Sequence, residues 1–323
     1  MNNINGLWIT WEFQRRNYGI SSSLGWQLYE FDFKVPFFYR YFKSSFKTIS
    51  AIFNASPDIV AAQNPSIVLA ILIILVSKIF HFKVIIDAHN SGIYPLEGKN
   101  TTVMAIARWI QRNSDLTIVT NNQLKRAVEK NGGKGFVLPD KIPVVKGVNK
   151  YNLPGKVSIA YICTFSDDEP YMDVIKASKL LPPDITIHIT GRYNNIIDAI
   201  SVPDNVTLLG FIPEQDYWAL LNSADLVMDL TLRENCLVCG AYEAMALSKP
   251  LILSNTKALR EYFSSGCIYV DASAESIASG VKQASANIEN LQYGISTLKS
   301  NLEKDWIGRI EALKAQVLNI IGL

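Results

Sequence analysis

The residues with the clearest potential for chemistry lie between Glu234 and Ser254. An apolar stretch of strand length, Ala224–Leu230, precedes them, and a second predicted strand, Pro250–Leu253, closes the segment. The residues between the strands predict a short helix over Ala241–Leu247. Backbone N–H groups at a helix start bind anions such as phosphate. Glu243, one turn into the helix, adds a carboxylate that accepts hydrogen bonds from hydroxyl groups. Phosphate beside a diol indicates a nucleotide sugar.

This segment resembles the donor-binding signature of family 4 glycosyltransferases, which are retaining enzymes of the GT-B fold. That signature reads Glu-x7-Glu, then Ala-Met-Ala, three further residues and Pro, and Glu243-Ala-Met-Ala with Pro250 matches it. The first Glu is out of register: Glu234 lies one residue too early, and Asn235 occupies its position. Either residue can fill that role. The structural alternative is a βαβ crossover in which Glu243 only caps a helix.

The resemblance implies a role for each position around the donor. The diphosphate would lie at the helix start, Glu243 would bind the ribose hydroxyls, and Asn235 or Glu234 would contact the donor hexose. Thr190-Gly-Arg192 resembles the strand-end glycine beside the nucleotide base, with a simple turn as the alternative. The remaining donor-side candidates are Thr164, Gly191, Arg192, Leu237, Val238, Cys239 and Gly240.

A second group of candidates follows the predicted strand Lys83–His89. Its Asp-x-His-Asn end resembles the acceptor-side loop of family 4, in which a His lies near the donor hexose, so we assign His89 to catalysis. A structural hydrogen bond is the alternative for this imidazole. The acceptor-side candidates are Glu12, Arg15, Arg16, Asp87 and Asn90.

Two departures from the family pattern concern positive charge. The usual Arg and Lys after the first strand of the second domain are replaced by the acidic stretch Thr164–Tyr171, and the usual glycine-rich loop is replaced by Trp11–Arg16. Losing one donor aimed at developing charge costs about 3 kcal/mol, so a replacement is needed. Arg15, Arg16 or Arg192 can supply the charge, or the helix start at Cys239-Gly240 can carry more of it.

The elements that position these residues alternate between strands and helices along the whole chain, which predicts doubly wound parallel sheets. In the first half we predict, among others, a helix over Arg16–Tyr29 and a strand over Glu30–Val35, and in the second half strands over Ile185–Thr190 and Val206–Gly210. The resemblance implies the α/β GT-B fold, with two Rossmann-like domains that face a cleft. We expect an N-terminal acceptor domain over 1–142, a linker over 143–156, a donor domain over 157–304, and a helix over 305–323 that returns to the first domain.

Composition and charge limit the kinds of partner that we expect this chain to bind. The 323 residues are 49% hydrophobic and 19% charged, which indicates a globular protein. Residues 1–150 hold 18 Lys and Arg against 9 Asp and Glu, whereas the rest holds 13 against 20. The basic half suits peripheral contact with an anionic membrane or a phosphate-bearing acceptor, and a solvated basic face is the alternative. No dense run of basic residues indicates nucleic acid.

One apolar run, Ile67–Val76, is about half as long as a bilayer requires, so we interpret it as a core helix. The four cysteines lack a second pair at metal-ligand spacing, and we interpret them as structural thiols. No leader sequence is recognisable before Trp8, so we expect a cytoplasmic protein at the inner face of the membrane. No Asp-x-Asp occurs, and we expect neither metal nor cofactor.

These observations together predict a retaining hexosyltransferase. It would move a sugar from a nucleotide diphosphate sugar to a hydroxyl of a glycan or lipid-linked acceptor, in the synthesis of surface polysaccharide or glycoconjugate. Two alternatives remain open at this point. One is a non-catalytic GT-B-like partner subunit, and the other is a nucleotide-sugar epimerase.

Overall fold

The computed structural model describes residues 4–64, 66–193 and 202–323. The chain forms two compact units. The first contains the residues up to Lys141 together with Asp305–Leu323, and the second contains Ile142–Lys304. Each unit has a six-stranded parallel sheet with flanking helices, so the predicted α/β class with two doubly wound sheets is confirmed.

The first sheet has the strand order β2-β1-β3-β4-β5-β6, and its direction of winding reverses between β1 and β3. Such a reversal opens a crevice at the carboxyl ends of the two strands. The elements are β1 Gly6–Thr10, α1 Arg15–Leu24, β2 Gln27–Glu30, α2 Phe37–Ala55, β3 Ile59–Gln63, α3 Ile67–Phe80, β4 Lys83–Asp87, α4 Asn90–Ile93, α5 Thr101–Asn113, β5 Leu116–Val119, α6 Asn122–Lys130 and β6 Gly135–Val137.

The beginning of this unit corrects two predictions. The helix predicted over Arg16–Tyr29 ends at Leu24, because Gly25 adopts a left-handed conformation (φ 73°) and its amide donates to the carbonyls of Ser21 and Ser22. The chain then enters β2 early and pairs with β1, so the strand predicted over Glu30–Val35 is also wrong. The serine-rich stretch gives no indication of this helix end in the sequence, and only Gly25 indicates it.

Helix α3 contains the apolar run and packs in the core of the first unit. Ser66 caps its start by accepting a hydrogen bond from the Leu69 amide at 3.3 Å. Leu69, Ala70, Ile73 and Ile74 are buried beneath the sheet, as the core-helix interpretation predicts. Within the described residues, no helix is both long and apolar enough to cross a membrane.

The second sheet has the order β12-β11-β10-β7-β8-β9, with the reversal between β7 and β10. Helices α7 and α11 contribute to the hydrophobic core on one face of the sheet, and α8, α9 and α10 contribute to the core on the other. The elements are β7 Val157–Ile162, α7 Tyr171–Ser178, β8 Ile185–Thr190, β9 Val206–Gly210, α8 Glu214–Ser223, β10 Leu226–Asp229, α9 Cys239–Ala246, β11 Leu251–Ser254, α10 Lys257–Tyr262, β12 Cys267–Val270, α11 Ala274–Ser285 and α12 Ile288–Ile321.

Helix α12 is a single helix of 34 residues and begins 17 residues before the helix expected over 305–323. Its residues from Asp305 onwards belong to the first unit. There Trp306, Ile310, Leu313 and Val317 join the core around Trp8. The Trp306 indole N–H also donates to the carbonyl of Pro139 at 3.1 Å, which satisfies its one polar group.

Candidate functional site

The loops that follow β7 and β10 lie at the winding reversal of the second sheet, the place where open α/β sheets bind ligands. The loop after β10 leads through Glu234 and Asn235 into α9 and Glu243. The loop after β7 contains Thr164. The signature residues and Thr164 therefore meet at one edge of one sheet.

Glu243 lies in the second turn of α9, and its carboxylate has a partner that the sequence did not indicate. The hydroxyl of Tyr217, on α8, donates a hydrogen bond to Oε2 of Glu243. Burial and the adjacent Glu243 carboxylate raise the pKa of Tyr217 well above its ordinary value of 10, so the phenol remains a donor. Tyr217 thereby orients the carboxylate that the signature assigns to the ribose.

A buried acid lies beneath the start of α9. The carboxyl of Asp229, at the end of β10, lies against the backbone of Gly240 and Ala241. Burial raises the pKa of Asp229 well above 3.8, and the carboxylates of Glu169 and Glu243 raise it further, while the two amides offset part of the rise. Burial therefore favours the neutral form of Asp229 relative to an exposed aspartate, and a neutral acid repels phosphate less than a carboxylate does.

Gly240 is required by close packing at this point. A Cβ there would lie 2.3 Å from Cδ1 of Ile162 and 2.5 Å from Oδ2 of Asp229. Leu237 and Val238, just before the helix, have buried side chains in the hydrophobic core. Any contact of these two residues with a donor would therefore come from their backbone. Cys239 is exposed.

The acidic loop after β7 folds around Glu169. One carboxylate oxygen, Oε2, accepts hydrogen bonds from the amides of Thr164 at 2.9 Å and Ser166 at 3.0 Å. The buried thiol of Cys163 donates to the same oxygen at 3.3 Å, and burial raises the pKa of that thiol, which keeps it a neutral donor. Two convergent amides form an anion-binding concavity, and here a side chain of the protein fills it.

A cation that the sequence analysis did not single out stands beside this loop. Arg233, which follows β10, forms an ion pair with Asp168 at 3.3 Å. Asp168 also accepts a hydrogen bond from the Thr231 hydroxyl at 3.1 Å, so it ties the loop after β7 to the loop after β10. Arg233 therefore joins Arg192 as a candidate for the positive charge missing from the family pattern.

Glu234 and Asn235 occupy the middle of a turn that is closed by a hydrogen bond from the Cys236 amide to the Arg233 carbonyl at 3.4 Å. Glu234 is exposed and Asn235 is half-buried. Both residues are therefore presented by the same loop.

The strand end at Thr190 lies next to the loop after β7. Gly191 adopts a φ of 107°, and a Cβ there would lie 2.2 Å from the carbonyl oxygen of Cys163. The turn thus brings Gly191 against the residue that precedes Thr164. Arg192 places its guanidinium 5.1 Å from the ring centroid of Phe211, a cation–π contact.

In the first unit, Arg16 and Asp87 form a buried ion pair. The Arg16 Nη2 atom lies 2.8 Å from Asp87 Oδ1, and Nη1 lies 2.6 Å from Asp140 Oδ1. Burial lowers the pKa of Arg16, but the two carboxylates outweigh it and raise the pKa above its ordinary value, so the guanidinium stays charged. Because each group is engaged by the other, the geometry supports a positioning role for both rather than direct contact with an acceptor.

His89 lies at the start of α4, beside this pair. Its Nε2 atom is 4.0 Å from Asp87 Oδ2, beyond hydrogen-bonding distance, and this buried atom has no hydrogen-bond partner among the described residues. A structural hydrogen bond through Nε2 is therefore not observed. Asn90 follows it in α4, and its side chain is half-buried.

The crevice between β1 and β3 has a polar network that the sequence indicated only in part. The Thr10 hydroxyl and the Asn17 amide donate to Oε1 of Gln63 at 2.6 and 2.9 Å. Glu12 and Arg15, which follow β1, are exposed. The network fixes the loop that carries these two residues.

Part of the chain matches a known protein family, and the whole chain is similar in fold to solved structures. Residues 148–295 match the family described as "Glycosyl transferases group 1". No curated protein sequence matches the chain. The fold is similar to sucrose-phosphate synthase from Thermosynechococcus elongatus, with a TM-score of 0.76, 14% identity and coverage of 98% of this chain and 99% of that one.

Two further structures show the range of the similarity. Anabaena HepE in complex with UDP-glucose matches with a TM-score of 0.73 and 13% identity, over 98% of this chain and 100% of that one. A putative UDP-N-acetylglucosamine 2-epimerase from Listeria monocytogenes matches with a TM-score of 0.61 and 12% identity, over 93% and 95%. Residues 148–295 are therefore similar to the group 1 glycosyltransferases, and the chain as a whole has the fold of GT-B glycosyltransferases.

Proposed function

We propose that this protein transfers a hexose from a nucleotide diphosphate sugar to a hydroxyl acceptor, with retention at the anomeric carbon. The observation that carries the proposal is the Tyr217–Glu243 pair at the winding reversal of the second sheet, within the segment that matches the glycosyltransferase family. A carboxylate held by a phenol donor has a fixed orientation, as recognition of a ribose diol requires.

In this proposal each part of the donor has its own contacts in and around α9. Glu243 binds the ribose hydroxyls, and Asn235 or Glu234 binds the hexose. The base lies near Thr164, Gly191 and Arg192, as the resemblance implies. The structures of HepE were determined with UDP-glucose, UDP and glucose, and with UDP, which supports a uridine nucleotide as the first donor to test.

The diphosphate requires positive charge at a site rich in carboxyl groups. We assign this charge to Arg233 and Arg192, together with the amides around Leu237, Val238, Cys239 and Gly240. Arg233 is paired with Asp168 but remains partly exposed. The raised pKa of Asp229 lowers the negative charge beneath the same helix start.

For the acceptor we retain Glu12, Arg15 and Asn90 as contacts, and we retain His89 as the catalytic candidate beside them. Arg16 and Asp87 would hold the loop that carries His89. Retention means that the new bond to the acceptor oxygen forms on the face of the hexose from which the diphosphate leaves. A glycan or lipid-linked acceptor at the cytoplasmic face of the membrane, in polysaccharide or glycoconjugate synthesis, completes the proposal.

The test is release of nucleoside diphosphate from a panel of UDP-, GDP- and ADP-sugars, measured beside calorimetric binding of the free nucleotides. Replacing Glu243 by Ala should weaken nucleotide binding by about 1.5–3 kcal/mol, the range for hydrogen bonds to a charged group. Glu275→Ala, which removes an exposed glutamate in α11, is the matched control and should bind like the parent protein. Equal affinity of the Glu243 variant and the control would refute the assignment.

A non-catalytic partner subunit is the second candidate, and a specific observation favours it. Glu169 fills the anion-binding concavity after β7, where the family carries cations. Absence of both nucleotide binding and turnover would select this candidate. An epimerase, by contrast, would convert the donor sugar without releasing nucleotide, so analysis of the recovered donor separates it from the transferase.

A further inference from the structure

Helix α2 places its largest apolar side chains on the outside of the first unit. Phe42, Phe46 and Phe53 are 73%, 65% and 66% exposed. The opposite side of the helix is buried and includes the small polar residues Ser44 and Thr48. A surface helix usually buries its apolar stripe, whereas α2 buries Ile52 and exposes these phenylalanines.

The exposed side chains form one continuous face. At about 100° per residue, Phe38, Phe42, Phe46, Ile49 and Phe53 project within an arc of about 80°, and all five are exposed. We call these five residues the aromatic face of α2. The face continues onto α3, because the rings of Phe53 and Phe80 meet edge to face with centroids 6.2 Å apart. Leu75 and Ile79 of α3 are exposed as well.

Positive charge lies to one side of the aromatic face. The sequence holds four basic residues and no acidic residue between Phe33 and Pro57, namely Lys34, Arg40, Lys43 and Lys47. On the helix, Lys43 and Lys47 lie about 100–140° from the centre of the aromatic face. Lys43 also extends over the ring of Phe33, with its Nζ 4.2 Å from the ring centroid.

We propose that the aromatic face of α2 docks on an anionic lipid bilayer. The helix would lie in the plane of the interface, with Phe42, Phe46 and Phe53 at the boundary between head groups and acyl chains, and with Lys43 and Lys47 at the lipid phosphates. A helix with aromatic residues on one side and basic residues beside them has the composition that binds membrane interfaces. Charge complementarity selects anionic over neutral lipid.

A second copy of the chain fits this face less well. A two-fold contact through the aromatic face would bring the same basic residues of both copies together, with no acidic residue on α2 to compensate them. A membrane, in contrast, supplies phosphates along the whole length of the helix. The docking surface does not depend on sugar transfer, so each proposal can fail without the other.

The experiment is co-sedimentation of the full chain with vesicles of phosphatidylcholine alone or mixed with phosphatidylserine. The parent protein should bind the mixed vesicles and retain part of its binding at about 0.5 M salt, where exposed charges are screened beyond a few ångströms. The double variant Phe42→Ala/Phe46→Ala should lose at least about tenfold in partitioning and all of its salt-resistant binding. Lys43→Ala/Lys47→Ala should lower binding mainly at low salt.

Tyr293→Ala/Ile307→Ala is the matched control, because it removes two exposed apolar side chains from α12 instead of α2. It should bind vesicles like the parent. Circular dichroism and melting temperature should show that all variants are folded. Unchanged vesicle binding of the Phe42/Phe46 variant, or equal loss in the control, would overturn the proposal. So would light scattering that shows a dimeric parent and a monomeric Phe42/Phe46 variant, since the face would then join two copies.

Discussion

The carboxyl of Asp229 packs directly against Gly240, because a Cβ at Gly240 would lie 2.5 Å from Asp229 Oδ2, and this close approach joins the end of β10 to the first turn of α9. The backbone amides of Gly240 and Ala241 lower the pKa of this carboxyl, although burial raises it more. A buried acid therefore lies beneath the helix start that the signature assigns to the diphosphate. Its protonation state sets the charge beneath that site.

The first prediction concerns pH. The pKa of Asp229 is raised in the folded protein, so its contribution to stability is complete below the unfolded value near 3.8 and is lost as the pH rises through the folded value. Asp229→Asn removes the ionisable group and therefore abolishes this loss of stability at higher pH. Relative to the parent, the variant should gain stability with rising pH, by about 1.4 kcal/mol for each unit by which the folded pKa is raised.

Urea unfolding at a series of pH values from 4.5 to 9 measures this difference, with about 0.5 kcal/mol as the smallest meaningful change. Asp271→Asn, at an exposed position in the same unit, controls for the loss of one carboxylate. A difference between parent and Asp229→Asn that stays constant across the range would show that Asp229 is ionised at every pH tested.

The second prediction compares two glycines in helices. Gly240→Ala should lower the free energy of unfolding by about 1–3 kcal/mol, because its Cβ meets Ile162 and Asp229. Gly308→Ala, in α12, has nothing within 4 Å of the added Cβ and should raise the free energy of unfolding by about 0.5–1 kcal/mol. Chemical denaturation checks both. A destabilised Gly308 variant would contradict the packing described for α12.

The third prediction concerns the register of the signature. If Asn235 fills the first acidic position, Asn235→Ala should lower turnover more than Glu234→Ala does. If Glu234 reaches the hexose from the same turn, the order reverses. Donor turnover under saturating nucleotide sugar decides between them. Activity unchanged in both variants would assign the turn to structure alone and favour the partner-subunit candidate.

The fourth prediction tests the Arg16–Asp87 pair. Arg16→Ala leaves Asp87 as an uncompensated buried charge and should cost about 3–5 kcal/mol of unfolding free energy. The neighbouring Arg15→Ala removes an exposed guanidinium and should cost less than about 1 kcal/mol. Denaturant unfolding of both variants checks the contrast. Similar costs for Arg15 and Arg16 would show that burial of the pair is not what stabilises this loop.

Strand and helix positions in the second unit were predictable because local signals agreed with the packing. The strands Ile185–Thr190 and Val206–Gly210 were predicted with the bounds that the structure shows. Each is a short, β-branched or leucine-rich run closed by a glycine or by a residue next to one, and both lie in a parallel sheet. For such runs, the burial of apolar side chains and the turn residues at the ends both favour a strand with the same bounds.

The partners of the candidate side chains were not predictable in the same way. Glu243 is recognisable from its motif, but Tyr217 lies 26 residues earlier on another helix and belongs to no local pattern. Glu169 was visible only as part of an acidic stretch, and the structure shows that its carboxylate binds the amides of its own loop. A sequence pattern gives residue types and spacing, whereas hydrogen bonds depend on which strand ends become neighbours.

The sequence by itself thus determined the alternation of strands and helices and the signature from Glu234 to Pro250, because periodicity and turn residues act over a few positions. Only the tertiary structure decided that Asp229 is buried under α9, that Arg16 is paired with Asp87, and that α2 exposes its phenylalanines. The physical reason is that burial depends on the packing of distant elements. The same apolar side chain that signals a core in the sequence lies on the surface when a helix turns its other side towards the sheet.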